Sequence, residues 1–161
     1  MPNNCYLDTK PSVPFSWLPD LLEHQAQRIP DAPAILAPGR APLTYRHLYQ
    51  HIDKMARTLR ATGIGGRDRV ALVLPNGPEM LVTILTVAAC ATCAPVNPAL
   101  GVEELDRYFA DLQPHALITQ AETDSSARRV ALSRAIRVIE LSSASEATAG
   151  LFAFTGERGD A

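Results

Sequence analysis

No Gly-Lys-Ser or Gly-Lys-Thr, no Gly-x-Ser-x-Gly and no His-Glu-x-x-His occurs in this chain. The phosphate loop, nucleophile elbow and zinc-binding helix that those patterns mark are therefore missing from the sequence. A charge excess is missing as well. Fifteen Lys and Arg stand against 17 Asp and Glu, for a net charge of -2, and the two signs are mixed along the chain; a nucleic-acid binder would show a basic footprint. The longest apolar run, residues 80–96, is broken by Thr83, Thr86 and Thr92 and falls short of the roughly 20 residues a membrane-spanning helix needs. The opening MPNNCYLDTK has neither the basic nor the apolar region of a secretion signal, so a cytosolic (cytoplasmic) protein is expected. Three cysteines, an odd number, suggest no secreted disulfide framework.

What is present is aliphatic: 47% of the 161 residues are hydrophobic, enough to build one ordinary domain. Residues 69–74, RVALVL, have the length and density of a central parallel strand covered on both faces. Pro75-Asn76-Gly77-Pro78 stops that strand. Asn76 or Gly77 can cap a helix, and Pro78 suits its first position, where an N–H would be unpaired anyway. The helix predicted from 78 to about 91 carries Met80, Leu81, Val82, Ile84, Leu85, Val87, Ala88 and Ala89. With almost no polar face it is expected inside a layered structure, Leu81 and Leu85 included. Ala94-Pro95-Val96 then reads as a short strand that closes a β-α-β unit.

Periodicity supplies the neighbours. Ser16 is expected to cap a helix to Ile29, with Leu18, Leu21, Leu22, Ala26 and Ile29 as its core stripe and Pro30 as its end. Residues 34–36 and Leu43 flank a Pro38-Gly39 turn, a hairpin pattern. Thr44 caps a helix to about Thr62, with Leu48, Ile52, Met55, Ala56 and Leu59 inward and Gly63 as the stop. Further on, a helix over 102–112 presents Val102, Leu105, Phe109 and Leu112 on one face. A strand over 116–119, a helix over 125–135 and a strand over 137–141 follow. Four strands alternating with helices predict an α/β fold, a doubly wound, mostly parallel sheet with flanking helices. From Ser142 the composition turns to Ser, Ala, Thr and Gly, so the domain is drawn over 1–141 and residues 142–161 are read as a linker or short hairpin.

Several short patterns point to chemistry, and each has a plainer explanation. Gly63-Ile64-Gly65-Gly66 lacks the third glycine of a dinucleotide loop and precedes a strand instead of following one, so a helix stop explains it. Cys90 and Cys93 form a C-x-x-C with no second pair for zinc, at the end of an apolar helix where cysteine packs as a small hydrophobe. His47 and His51, four apart, have no third ligand and stand beside Lys54 and Thr58, on what reads as a solvated helix face. No metal site is expected. Arg158-Gly159-Asp160 spells an adhesion tripeptide, which in a chain without a secretion signal is read as chance.

The stretch that sets the architecture also carries a family resemblance. Ala94-Pro95-Val96-Asn97-Pro98 resembles the Val-Pro-Leu-Asn-Pro-like strand of adenylate-forming enzymes: acyl-CoA synthetases, luciferases and peptide-synthetase adenylation domains. Residues 43–48, LTYRHL, are similar to their LTYxEL helix start, with His47 in place of Glu. Residues 15–36 resemble their opening helix and first strand. The likeness covers roughly residues 15–141, and Cys90 departs from it near a usual Gly. It implies an N-terminal portion of the large AMP-binding domain, in an enzyme about three times longer. That enzyme would use ATP, Mg2+ and CoA to join a small carboxylic acid to CoA. The alternatives are an adenylation domain that loads an amino acid onto a carrier thiol, or a short non-catalytic interaction or regulatory module.

By the same resemblance, the Ser/Thr/Gly-rich phosphate loop ending Pro-Lys-Gly, the ribose-binding acid and the C-terminal lysine are not in this chain. Catalytic residues are therefore expected to be none, and the chain alone is expected to be inactive. The remainder of the enzyme is its implied partner, and residues 142–161 would lead up to the phosphate loop. The tail over 151–156 resembles the branch that handles small acids such as oxalate. Arg107, on the helix after the Pro-Val-Asn-Pro strand, is the candidate for a CoA phosphate. Glu103 and Asp111, four residues to either side, would otherwise hold it in surface ion pairs.

Overall fold

The computed structural model describes residues 17–121, 125–143 and 148–158. The chain starts with α1 (Leu18–Arg28), a hairpin of β1 (Pro33–Ile35) and β2 (Leu43–Thr44), and α2 (Tyr45–Ala61). Next come β3 (Arg69–Val73), α3 (Pro78–Ala88), β4 (Thr92–Pro95) and α4 (Val102–Leu112). The chain then forms β5 (Ala116–Gln120), α5 (Ser126–Ser133), β6 (Arg137–Ser143) and β7 (Phe152–Arg158). The expected cap at Ser16 lies outside the described residues; Trp17 takes the cap position without a side-chain bond, its indole donating to Asp20 at 2.8 Å.

The main sheet has the order β4-β3-β5-β6-β7. Its first four strands are parallel and β7 runs antiparallel to β6. Val70, Leu72 and Leu74 turn to one face, where they meet buried residues of α2 and α3, whereas Ala71 and Val73 turn to the other, against Leu105 and Phe109 of α4 and Val130 of α5. Both faces are covered, so the sheet is doubly wound, and β3 reads as an unbroken aliphatic run because neither of its faces meets water. The expected inward residues of α2, Leu48, Ile52, Met55, Ala56 and Leu59, are all buried.

Within the stretch 142–161, read as a linker or short hairpin, β6 continues to Ser143, and Ser142 and Ser143 pair with Ala153 and Phe152 in β7. The position 141 at which the domain was drawn lies within β6. Two expectations need correction. First, α3 ends at Ala88, and Leu81 is 45% exposed whereas Thr83 and Thr86 are fully buried. The two hydroxyls donate to the carbonyls of Glu79 (2.7 Å) and Val82 (2.8 Å), so each threonine enters the core without an unpaired donor. Secondly, Leu21 and Val102, placed on core stripes, are 37% and 46% exposed.

At the outer edge of the sheet, the Thr92 and Val96 amides donate to Asp68 and Leu72 at 2.9 Å each. Alternation along the strand then turns the Pro95 nitrogen to the free side, where a missing N–H leaves no ladder bond unmade.

Candidate functional site

Doubly wound sheets take ligands outside the carboxyl ends of their strands, where the strand order reverses. Here β3 leads to β4 on one side and β5 leads to β6 on the other, so the crevice lies between the ends of β3 and β5. Its lining follows from local chemistry. Pro75, Asn76 and Gly77 leave β3 exposed, and Gly77 with Pro78 opens α3 without a side-chain cap. After β4, the Asn97 side chain accepts the Ala99 amide at 2.9 Å and turns the chain towards Gly101. There Glu104 Oε2 accepts the Gly101 amide at 2.9 Å and fastens the start of α4. Ser125 Oγ caps α5 by accepting the Arg128 amide at 3.2 Å.

Several charged pairs sit at this end: Arg128 of α5 with Glu140 of β6, Arg46 of α2 with Asp31, and a pair across the start of α3. Arg40, just past the Pro38-Gly39 turn, places Nη1 2.6 Å from Glu79 Oε1 in the first turn of α3, and Nη2 donates to the Thr148 carbonyl at 2.7 Å. The Ala149 amide donates to the Ala41 carbonyl at 3.0 Å. Sequence reasoning missed this cluster because its partners are up to 108 positions apart.

These residues do not fit a nucleotide triphosphate or its magnesium. The arginines at this end are already engaged, Arg40 by Glu79 and the Thr148 carbonyl and Arg128 by Glu140, and no three His, Cys, Asp or Glu among the described residues are placed to hold a metal ion. The lysines are Lys10 and Lys54: the first lies outside the described residues and the second lies midway along α2.

Arg107 is brought to none of these groups. Its side chain is 78% exposed, with Nη2 3.8 Å from Glu103 Oε2. Asp111 lines a separate groove with Ala94, Pro95, Val96 and Tyr108. The histidine pair is split. His47 is exposed beside the Thr44 hydroxyl, 3.2 Å away. His51, expected on a solvated face, instead meets the Phe152 ring edge-on at 4.7 Å, and its Nε2 accepts the Phe152 amide at 3.5 Å. Burial, and secondarily Lys54, lower its pKa. Cys90 is buried and Cys93 half-buried. Burial raises the Cys90 thiol, opposed by Arg60, and pushes Cys93 up to about 11. Neither thiol is shifted towards the reactive thiolate. Gly63, at φ +91°, stops α2, and the Gly65 amide donates to Asp68 at 2.8 Å, so the glycine run is the turn into β3. The Arg-Gly-Asp tripeptide reaches past the described residues.

Comparison with known proteins gives a consistent result. A family model described as AMP-binding enzyme matches residues 22–158. A Humulus lupulus protein described as a CoA ligase is 38% identical over 115 residues, which cover 71% of this chain and 22% of that protein. An oxalate–CoA ligase of Arabidopsis thaliana is 36% identical over 116 residues, covering 71% and 23%. Peptide synthetases are also among the relatives. A solved structure described as a long-chain-fatty-acid CoA ligase of Rhodopseudomonas palustris superposes with a TM-score of 0.70 at 25% identity, over 83% of this chain and 34% of that one. The chain thus spans less than a quarter of the length of the curated CoA-ligase relatives it matches.

Proposed function

We infer, from the premise that this chain belongs to the family of AMP-binding enzymes, that the whole protein is an ATP-dependent carboxylate–CoA ligase and that residues 1–161 are scaffold from its N-terminal part. The observation that carries this reading is the family match over 22–158, joined to CoA-ligase relatives at 36–38% identity. In such a reaction ATP and Mg2+ turn the acid into an acyl-adenylate with loss of pyrophosphate, and the CoA thiol then takes the acyl group. The residues of this chain hold the sheet and its edges and supply no catalytic group to either step, with Arg107 the one candidate contact to a CoA phosphate. The phosphate loop, the ribose-binding acid and the lysine lie in sequence beyond Ala161, to which residues 142–161 lead. The substrate is a small acid, with oxalate the first to test, and the enzyme works in the cytoplasm.

A second reading, an amino-acid-activating adenylation domain, is favoured by one observation: a surfactin synthase subunit is 43% identical over 89 residues. Two assays on the whole protein separate the readings. Acid-dependent ATP–pyrophosphate exchange followed by thioester formation with free CoA supports the first. Exchange with amino acids, and transfer only to a carrier-protein thiol, supports the second. Residues 1–161 alone are expected to show no exchange with any acid, and measurable exchange by them would overturn the scaffold role.

A further inference from the structure

We propose that residues 148–152 form a strap which closes the carboxyl edge of this sheet over the start of α3, and that Arg40 is the residue that fastens it, acting through the Thr148 carbonyl. Four independent contacts define the strap. Arg40 donates to Thr148 at 2.7 Å while Glu79 holds the same guanidinium at 2.6 Å. Ala149, fully buried, donates its amide to Ala41. Phe152, 2% exposed, is seated against His51. Between them Gly150 passes so close to α3 that a Cβ would lie 2.7 Å from Val82 Cγ2 and 3.3 Å from the Pro78 carbonyl. Its φ of +79° is itself the left-handed conformation that favours glycine. Position 150 thus excludes a side chain on two grounds.

The place the strap fills gives it meaning. The first turn of the helix after a central strand is where a doubly wound sheet ordinarily presents backbone amides to a ligand. Here backbone from 110 positions nearer the C-terminus than Arg40 lies across that turn, pinned at both ends. The flank of α3 at Pro78 and Val82 is covered by the chain's own strap, and β7 is held in register with β6 by the same fastening. This holds whichever thiol the whole protein acylates.

The test is hydrogen exchange on the whole protein, read for peptides covering 148–155 and 76–82, with four variants. Arg40→Met and Gly150→Ala should each raise exchange over 148–155 by roughly tenfold or more, the scale of a lost charge-assisted bond or an overpacked contact. Arg40→Lys, which keeps a charged donor, should preserve most of the protection. The swap Arg40→Glu with Glu79→Arg separates a strap fastener from a mere ion pair, because Glu at 40 cannot donate to the Thr148 carbonyl. Recovered melting temperature with unprotected 148–155 is the expected result. Protection over 148–155 fully regained by the swap, wild-type exchange in Gly150→Ala, or new protection over 76–82 on adding AMP to the wild type would each overturn the proposal.

Discussion

At the amino-terminal ends of the strands, the carboxyl termini of three helices each receive a guanidinium: Arg137 donates to Thr62 at the end of α2, Arg60 to Ala89 after α3, and Arg69 to Gln113 after α4. At the opposite ends of the same strands the helices begin on neutral caps, Thr44, Gly77, Gly101 and Ser125, and the remaining space is taken by backbone. The first arrangement places cations where the helix dipoles are negative and leaves few carbonyls without partners. The second keeps exposed loops at Pro75-Asn76-Gly77 and Asn97-Pro98 and, beside them, an apolar helix with Leu81 uncovered. The difference lies in where the charges go: at the first edge three arginines brace helix ends, whereas at the second Arg40 and Arg128 are held by Glu79 and Glu140.

The largest effect that sharpens this contrast comes from a pair of leucines. Leu59, 0% exposed near the braced end of α2, should cost about 2–5 kcal/mol as Leu59→Ala, because a cavity opens in a close-packed layer. Leu81→Ala, at the open end, should cost under about 1 kcal/mol in the same denaturant melts. Equal losses would mean that α3 is covered in solution by something that buries Leu81.

How far the sequence foretold this depended on whether partners were near in the chain. The α2 stripe was readable because polar residues fill its other face, which gives the periodicity a direction. In α3 nearly every position is apolar, so periodicity had no direction to offer, and the inward side proved to carry Thr83 and Thr86. The doubly wound order followed from alternation of strand and helix. β7 did not, since Phe152, Ala153, Phe154 and Thr155 sit in a Ser/Ala/Thr/Gly context and acquire strand character from pairing with β6. The arginine caps and the Arg40 cluster join positions 29 to 108 apart, a separation that no local pattern reports. The candidate site was legible mainly through the family resemblance, and Arg107, the one residue it offered, lies on the exposed face of α4 beside Glu103.

The next effect in size compares the helix ends directly. Arg69→Met removes a cation from the α4 terminus and should cost about 0.5–1 kcal/mol. Thr44→Ala removes the hydroxyl that accepts the His47 amide at 3.4 Å and should cost about 1 kcal/mol. The two sites share no partner, so the double variant should show the sum within about 0.5 kcal/mol. A marked departure from additivity would mean that the two edges are not independent.

Titration probes the interior between the edges. Because His51 has a lowered pKa in the folded chain, the folded state binds fewer protons than the unfolded state just below pH about 6.5. Its contribution to stability is complete above that value and is lost as pH falls through it. Urea midpoints should therefore drop between pH 7.5 and 5.5, and drop less in His51→Gln. Cys93 has the opposite sign: with a thiol pushed up to about 11, its contribution is complete below the unfolded value of 9.0 and is lost as pH rises towards 11. Cys90 and Cys93 should label slowly with a thiol reagent in the native chain at pH 8 and rapidly in urea, and fast native labelling would remove them from the packed interior.

The smallest stability effect is expected at Arg107, and there the comparison meets function. Its pair with Glu103 spans 3.8 Å between side chains that are 78% and 90% exposed, so solvent screening leaves little to lose, and Glu103→Ala or Arg107→Ala should each change stability by under about 0.5 kcal/mol. Activity of the whole protein is the more telling measurement. A guanidinium that meets a CoA phosphate affects only the step that uses CoA. Arg107→Ala should then raise the KM for CoA by roughly tenfold, the scale of one charge-assisted contact, and leave ATP–pyrophosphate exchange at its original rate. Glu103→Ala, which frees the arginine, should leave that KM unchanged or lower it. An unaltered KM in Arg107→Ala would return Arg107 to its surface pair with Glu103 and leave this chain without a side chain that touches any substrate.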